Sequence, residues 1–242
     1  MTETAWNEFW TTLPPEPGAA LWDSSPELTA ERHLSLFRGY FEPSLPLVDA
    51  GCGNGRQTQR LARDFPRVVG IDLAEAAVAL ASRTCPAPNL TYRCADLLDR
   101  RTATALHAEF GDVNVYVRGV LHQLPMPARG VMLAAIRVLL GDSGHVFAHE
   151  LTDRTAWFLQ ELFATGVSLP KAAGLVTHFG FGARAAPAQT RELPHLFERN
   201  GFAVVAEGDI PLYTTEEHPD GRPLRLPTSY VVCRAVAEKE DS

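Results

Sequence analysis

Lysine is almost absent from this chain of 242 residues: it stands only at Lys171 and Lys239, whereas arginine occurs 20 times. That skew is typical of GC-rich coding and points to a bacterial source. Acids outnumber bases, for a formal net charge of −7, and no stretch forms a basic arm. An extended nucleic-acid footprint needs a basic face to neutralise phosphates, so nucleic acid is not expected as a partner. Cysteine is scarce as well. Cys52, Cys85, Cys94 and Cys233 include no C-x-x-C pair and no Cys/His spacing of a zinc site. No metal is therefore expected, and the thiols read as those of a reduced, cytoplasmic protein. Long apolar runs are missing: the most apolar window, VMLAAIRVLL at 131–140, is cut by Arg137 and too short to span a bilayer. The N-terminus has neither a basic start nor an apolar run behind it, so neither a signal peptide nor a membrane partner is expected.

What the sequence does have is alternation. PLVDA (46–50), RVVGIDL (67–73), LTYRCAD (90–96), VNVYVRG (113–119) and GHVFAHEL (144–151) read as strands. Helical patterns lie between them, at 56–65, 74–84, 102–111 and 128–142. Uniformly apolar strands alternating with helices predict a parallel sheet covered on both faces. Right-handed crossovers then make it a doubly wound α/β fold. Two late strands, 203–213 and 228–236, bracket a turn-rich connection and predict an antiparallel pair at one edge of a seven-stranded, mostly parallel sheet. Residues 1–43 are rich in proline and aromatics and read as a lid. They contain a helix in SPELTAERHLSLFRGYF, with Leu28, Leu34, Phe37 and Phe41 on one face and Ser24 or Ser25 as its cap. The main domain is expected over 44–236, with a substrate-side insert at 152–190 whose glycine-rich second half reads as irregular; 237–242 is expected to be a solvated tail.

In an open parallel sheet, ligands bind outside the carboxyl ends of the strands. The loop after the first strand is DAGCGNG, with Gly51, Gly53 and Gly55 spaced G-x-G-x-G. A dinucleotide fingerprint would read G-x-G-x-x-G, but Arg56 stands where its third glycine would be; a P-loop would need G-K-[ST]. The turn therefore suits a ligand other than a pyrophosphate. The following helix start can meet a carboxylate, and Asp49 can accept from an ammonium. Asp72, 21 residues beyond Gly51, ends the second strand with two oxygens suited to a ribose diol. Asp96, after the third strand, can accept from an adenine amine, and Leu73 and Leu97 can flank the base. A helix cap for Asp72 and a turn role for Asp96 are the alternative readings.

An ammonium, a carboxylate, a ribose diol and an adenine amine together describe S-adenosylmethionine. The sequence resembles the class I S-adenosylmethionine-dependent methyltransferases. LVDAGCGNG matches that family's first motif, while VVGIDLA, CADLLD and VYVRGVLHQLP resemble the next three in order, over roughly residues 45–235. The resemblance implies a Rossmann-like fold, S-adenosylmethionine as cofactor, and a cofactor site of Asp49, Gly51, Cys52, Gly53, Gly55, Asp72, Leu73, Asp96, Leu97 and Arg118. At Arg118 the chain departs from the family, in which an acid or asparagine is common. This arginine can contact the cofactor, hold an anionic substrate, or pair with Asp96 or Glu150.

A base is needed only for a proton-bearing nucleophile. His122, just past the fourth strand, and His149, at the end of the fifth, are the candidate catalytic residues; His145, at the strand's entry, reads as structural. Trp22, Tyr40, Arg118 and His178 are candidate substrate contacts, and Trp157, Phe158, Phe163, Phe179 and Phe181 of the insert can form a second wall. The expected activity is methylation of a small molecule, at oxygen in preference to other atoms, in bacterial specialised metabolism. Its state is expected to be monomer or homodimer. The alternatives are a non-methylating cyclase or isomerase of the same fold and, less favoured by an acidic chain, an RNA or protein methyltransferase.

Overall fold

Four apolar segments are buried along almost their whole length and so take neighbours on both sides: β1 (Leu47–Ala50), β2 (Val68–Asp72), β4 (Asn114–Arg118) and β5 (His145–Leu151). With β3 (Leu90–Cys94) they pair in parallel, and the sheet runs β3-β2-β1-β4-β5-β7-β6. This computed structural model describes residues 3–179 and 192–236, of which 175–179 by backbone alone. The chain steps outward from β1 to β3, then returns to the other side of β1 at β4. That reversal opens a crevice above the carboxyl ends of β1 and β4.

Each face of the sheet has its own core. Leu133, Ile136, Leu139 and Leu140 of α6 (Met126–Leu140) pack with Val115, Val146 and Ala148 on one face. On the other, Phe37 of α2 (Ala30–Phe37) and Leu61 of α3 (Arg56–Leu61) pack with Phe65, Tyr116 and Phe147.

The edge pair is present and longer than the sequence suggests. β6 (Phe202–Glu217) and β7 (Pro223–Ala235) are antiparallel, with β7 also antiparallel to β5. The segment read as a turn-rich connection is therefore mostly strand. Pro227 of that segment faces Pro211 of β6 and comes just before Thr228, the first β7 residue paired with β5. Proline is tolerated there because β6 is an edge strand and β7 has lost its inner neighbour.

Two helix starts also differ from expectation, both because the cap comes from far along the chain. α2 begins at Ala30, leaving Leu28 exposed at 38%. Its first amide donates to Gln57 Oε1 at 3.2 Å, while Gln57 Nε2 donates to the Ser24 carbonyl at 2.9 Å. Ser24 spends its hydroxyl on Thr29 rather than on a helix amide. In the region read as irregular, α8 (Pro170–Phe179) is held by Glu216, whose carboxylate accepts from the amides of Lys171 and Ala172 at 2.9 and 2.8 Å. A charged acceptor at an N-terminus both fills orphan amides and meets the helix dipole.

Candidate active site

β1 ends at Ala50 and the chain turns at once. The amides of Gly51 and Cys52 both donate to the Ile71 carbonyl, at 2.7 and 3.0 Å, which clamps the turn to β2. Gly51 has φ +80°, and a Cβ there would lie 2.3 Å from Val120 Cγ2, so only glycine fits. Gly55, at φ +77°, serves packing: a Cβ would lie 2.5 Å from Tyr92 Oη and 2.8 Å from Ala81 Cβ. Gly55→Ala should lower stability by about 2–3 kcal/mol through left-handed strain and a displaced Tyr92, read as a fall in the denaturant midpoint.

A cavity of about 190 Å³ opens over this turn. Gly51, Cys52, Gly53, Asp72, Leu73, Asp96, Leu97, Trp22, Arg118, His122 and His149 all line it. Asp72 is nearly buried. Its Oδ2 accepts from the Gly53 amide and its Oδ1 from the Ala74 amide, each at 2.9 Å, so the turn and the α4 (Glu75–Thr84) entry are tied to one carboxylate. Burial raises its pKa, partly offset by these amides. Asp96 is exposed and accepts from the Leu98 amide at 2.8 Å.

Not every expected residue joins the wall. Gly55 backs onto Tyr92, and Tyr40 is 42% exposed beyond the end of α2; neither is among the lining residues. Asp49 lies beneath the turn, buried, with Oδ2 accepting from the Thr58 hydroxyl at 2.6 Å. The side chains of His178 and Phe179 and all of Phe181 lie outside the described residues. Trp157 is exposed, while Phe158 and Phe163 pack behind the wall, in a cluster with Leu159 and Leu169 that also takes in the cavity-lining Leu21, Leu151 and Leu212; none of the three is itself a lining residue.

The sequence reading passed over two parts of the roof: Trp6 and Trp10 of α1 (Glu3–Thr12) also line the cavity. Phe9 stacks on Trp22 at 5.3 Å, and Asn7 Oδ1 accepts from the Ala76 amide at 3.1 Å, anchoring α1 over α4. The spacing of Trp6, Phe9 and Trp10 on one helical face was the available signal.

The two histidines differ in kind. His122 Nδ1 meets Glu150 Oε2 at 2.7 Å. Glu150 is buried and also accepts from the amides of Val120, Leu121 and His122, at 2.9, 2.9 and 3.2 Å. Burial alone would raise its pKa; His122 and the amides outweigh this and hold it below the ordinary value. The carboxylate therefore stays charged, and Nδ1 of His122 carries the shared proton, making Nε2 the basic nitrogen. His149 is buried with Nε2 at 2.6 Å from Thr228 Oγ1, whose own proton goes to the Ile210 carbonyl. Nε2 must therefore be the protonated nitrogen. Burial, and after it the Arg118 charge, push the His149 pKa down to about 3. This corrects the expectation of His149 as a base: it is held neutral and takes up no proton near pH 7. Arg118 pairs with neither Asp96 nor Glu150; its Nη1 donates to the Trp22 carbonyl at 3.1 Å.

Residues 47–144 match a family model described as a methyltransferase domain. A solved S-adenosylmethionine-dependent methyltransferase from Anabaena variabilis is 30% identical, covers 96% of this chain and 94% of its own, and superposes with a TM-score of 0.85. The chain belongs to the S-adenosylmethionine-dependent methyltransferases. Among curated relatives, a trans-aconitate 2-methyltransferase of Acidovorax is 29% identical over 119 residues, 46% of this chain and 45% of that protein. The match thus spans about half the length of that relative. A malonyl-[acyl-carrier protein] O-methyltransferase of Bacillus cereus is 32% identical over 56 residues, 22% of this chain and 21% of that protein.

S-adenosylmethionine is the cofactor of this methyltransferase, and the crevice suits it: a turn with no room for a Cβ at Gly51 and two carboxylates share one wall. Asp49 of the methyltransferase shows what a buried charge there costs. Burial, only partly countered by the Thr58 hydroxyl and Arg118, raises its pKa from 3.8 to about 6. The folded state thus binds this proton more tightly than the unfolded chain. Stability falls as pH rises from about 4 to about 6, by about 3 kcal/mol in all, and the loss persists above that. Asp49→Asn should be the more stable protein at pH 7 by up to about 3 kcal/mol, with the gap closing below about pH 4. Denaturant midpoints at both pH values check this.

Proposed function

We propose that this methyltransferase transfers the methyl group of S-adenosylmethionine to an oxygen of a small-molecule acceptor. The observation that carries the reading is His122, held by Glu150 from behind, on the wall of the cavity that also holds Asp72 and Asp96. In this reading Asp72 takes the ribose diol, Asp96 the adenine amine, and Leu73 and Leu97 flank the base. Gly51, Cys52 and Gly53 bring backbone against the amino-acid end.

The cofactor supplies an electrophilic methyl on a sulfonium. The protein's part is to align the acceptor, exclude water and receive a proton. His122 Nε2 takes the hydroxyl proton as the oxygen forms its bond to carbon. With the cofactor held by Asp72, Asp96 and the Gly51–Gly53 turn, its sulfur would keep the electron pair of the carbon–sulfur bond that gives up the methyl. Glu150 fixes the imidazole's tautomer and stabilises the imidazolium that results. Trp6, Trp10 and Trp22 close the site against water. The name of the Bacillus relative, an O-methyltransferase, supports oxygen as the accepting atom.

The test is methyl transfer from radiolabelled S-adenosylmethionine to a panel of hydroxylated and carboxylated small molecules, with RNA and protein as parallel arms. Label in a small-molecule ether or ester is the expected result. Label confined to RNA or protein would overturn it.

A further inference from the structure

The carboxyl end of β4 carries a cation that forms no ion pair among the described residues. Arg118 is half-buried on the cavity wall, and its one hydrogen bond among them goes to the Trp22 carbonyl. The neighbouring acids make their hydrogen bonds elsewhere, although the Asp49 carboxylate lies near enough to feel the Arg118 charge. Glu150 is taken by His122 and three amides, and Asp72 by two amides. Asp96 is taken by the Leu98 amide, Asp49 by Thr58, and Asp23 by Arg56 at 2.9 Å. A guanidinium has five donors in a planar fork, so most of this one's capacity is unspent.

The histidines beside it are neutral. His149 is the register partner of Arg118 across β4 and β5. His33, fully buried, bonds Tyr116 Oη at 2.7 Å and sets its ring 4.6 Å from that of His149. Burial keeps both histidines uncharged. His149 Nδ1, a bare acceptor after Nε2 has bonded Thr228, is buried without a partner. Around this polar edge the wall is apolar: Leu21, Trp22, Leu151 and Leu212.

We propose that Arg118 is the acceptor's anion subsite, receiving the carboxylate of an apolar or aromatic carboxylic acid whose body lies against Leu21, Trp22, Leu151 and Leu212. The proposal rests on the methyl-transfer reading above. One planar cation matches a single carboxylate. A phosphate dianion would need a second cation, and the two histidines beside Arg118 do not supply it.

The cofactor has a carboxylate of its own, so the test separates the two sources. Calorimetry is run on protein loaded with S-adenosylhomocysteine, using 3-phenylpropanoate and octanoate against their primary amides. Each acid should bind at least 10-fold more tightly than its amide. Arg118→Gln should erase that difference, and Arg118→Lys should keep part of it, with folding of both variants checked by melting temperature. S-adenosylhomocysteine and its decarboxylated analogue should each bind Arg118→Gln as they bind the wild type. Acids no better than amides on the wild type, or a preference that survives Arg118→Gln, would overturn the proposal. So would an Arg118→Gln protein that loses affinity for S-adenosylhomocysteine but not for the decarboxylated analogue, since Arg118 would then serve the cofactor. A wild type that binds no S-adenosylhomocysteine would remove the methyl-transfer reading, and this proposal with it.

Discussion

Asp72→Ala should weaken S-adenosylhomocysteine binding about 100-fold or more. Hydrogen bonds to a charged acceptor contribute about 1.5–3 kcal/mol each, and a ribose diol offers two donors to this carboxylate. The clearest readout is stabilisation by ligand. At a concentration of about 100 times the wild-type Kd, bound ligand raises the unfolding free energy by about 2.7 kcal/mol. A variant with 100-fold weaker affinity gains only about 0.4 kcal/mol under the same conditions. The substitution also removes the acceptor of the Gly53 and Ala74 amides, so the unliganded protein should lose about 1–3 kcal/mol. Asp72→Asn separates the two effects. It keeps one acceptor oxygen for a backbone amide but turns an NH₂ toward the other, and it lacks the charge. Unchanged ligand stabilisation in both variants would remove Asp72 from the cofactor site.

The same carboxylate shows why much of this site was legible from residues alone. In a parallel sheet, the residue that ends a strand is delivered to the crevice by topology, whatever its neighbours do. Asp72, Leu73, Asp96, Leu97 and Arg118 all end or follow strands, and all reach the cavity. Asp49 also lies near a strand end but two residues short of Gly51, and the pleat sends it under the turn to Thr58 instead. What stayed hidden depends on partners distant in sequence. The cap of α8 is Glu216, some 45 residues on, and the entry of α2 is held by Gln57. No local pattern carries either bond. The difference between His122 and His149 was hidden for the same reason. One follows an apolar strand and the other lies near the end of one, but only the fold decides that one meets a buried carboxylate and the other a threonine hydroxyl. The fold class itself was the most readable feature, because uniform apolarity in short segments leaves few arrangements other than a covered parallel sheet.

The distinction between those two histidines yields the second large effect. His122→Ala should lower kcat by about 10²- to 10⁴-fold, the usual contribution of a positioned base, while S-adenosylhomocysteine affinity stays within about 3-fold of wild type. His149→Phe removes a histidine already held neutral, so it should lower kcat far less than His122→Ala does, even where substrate affinity drops. Glu150→Gln tests the tautomer argument. A glutamine cannot accept from three amides and an imidazole at once, and its NH₂ would face donors. The loss should be about 3–5 kcal/mol of stability at pH 7. Because the folded pKa of Glu150 is depressed, its contribution is present above the unfolded value and disappears as pH falls through the folded one. Wild type and Glu150→Gln should therefore converge in acid. If kcat is undiminished in His122→Ala, or if His149→Phe lowers it just as far, the proton goes elsewhere and the His122–Glu150 pair serves only to hold the loop after β4 against β5.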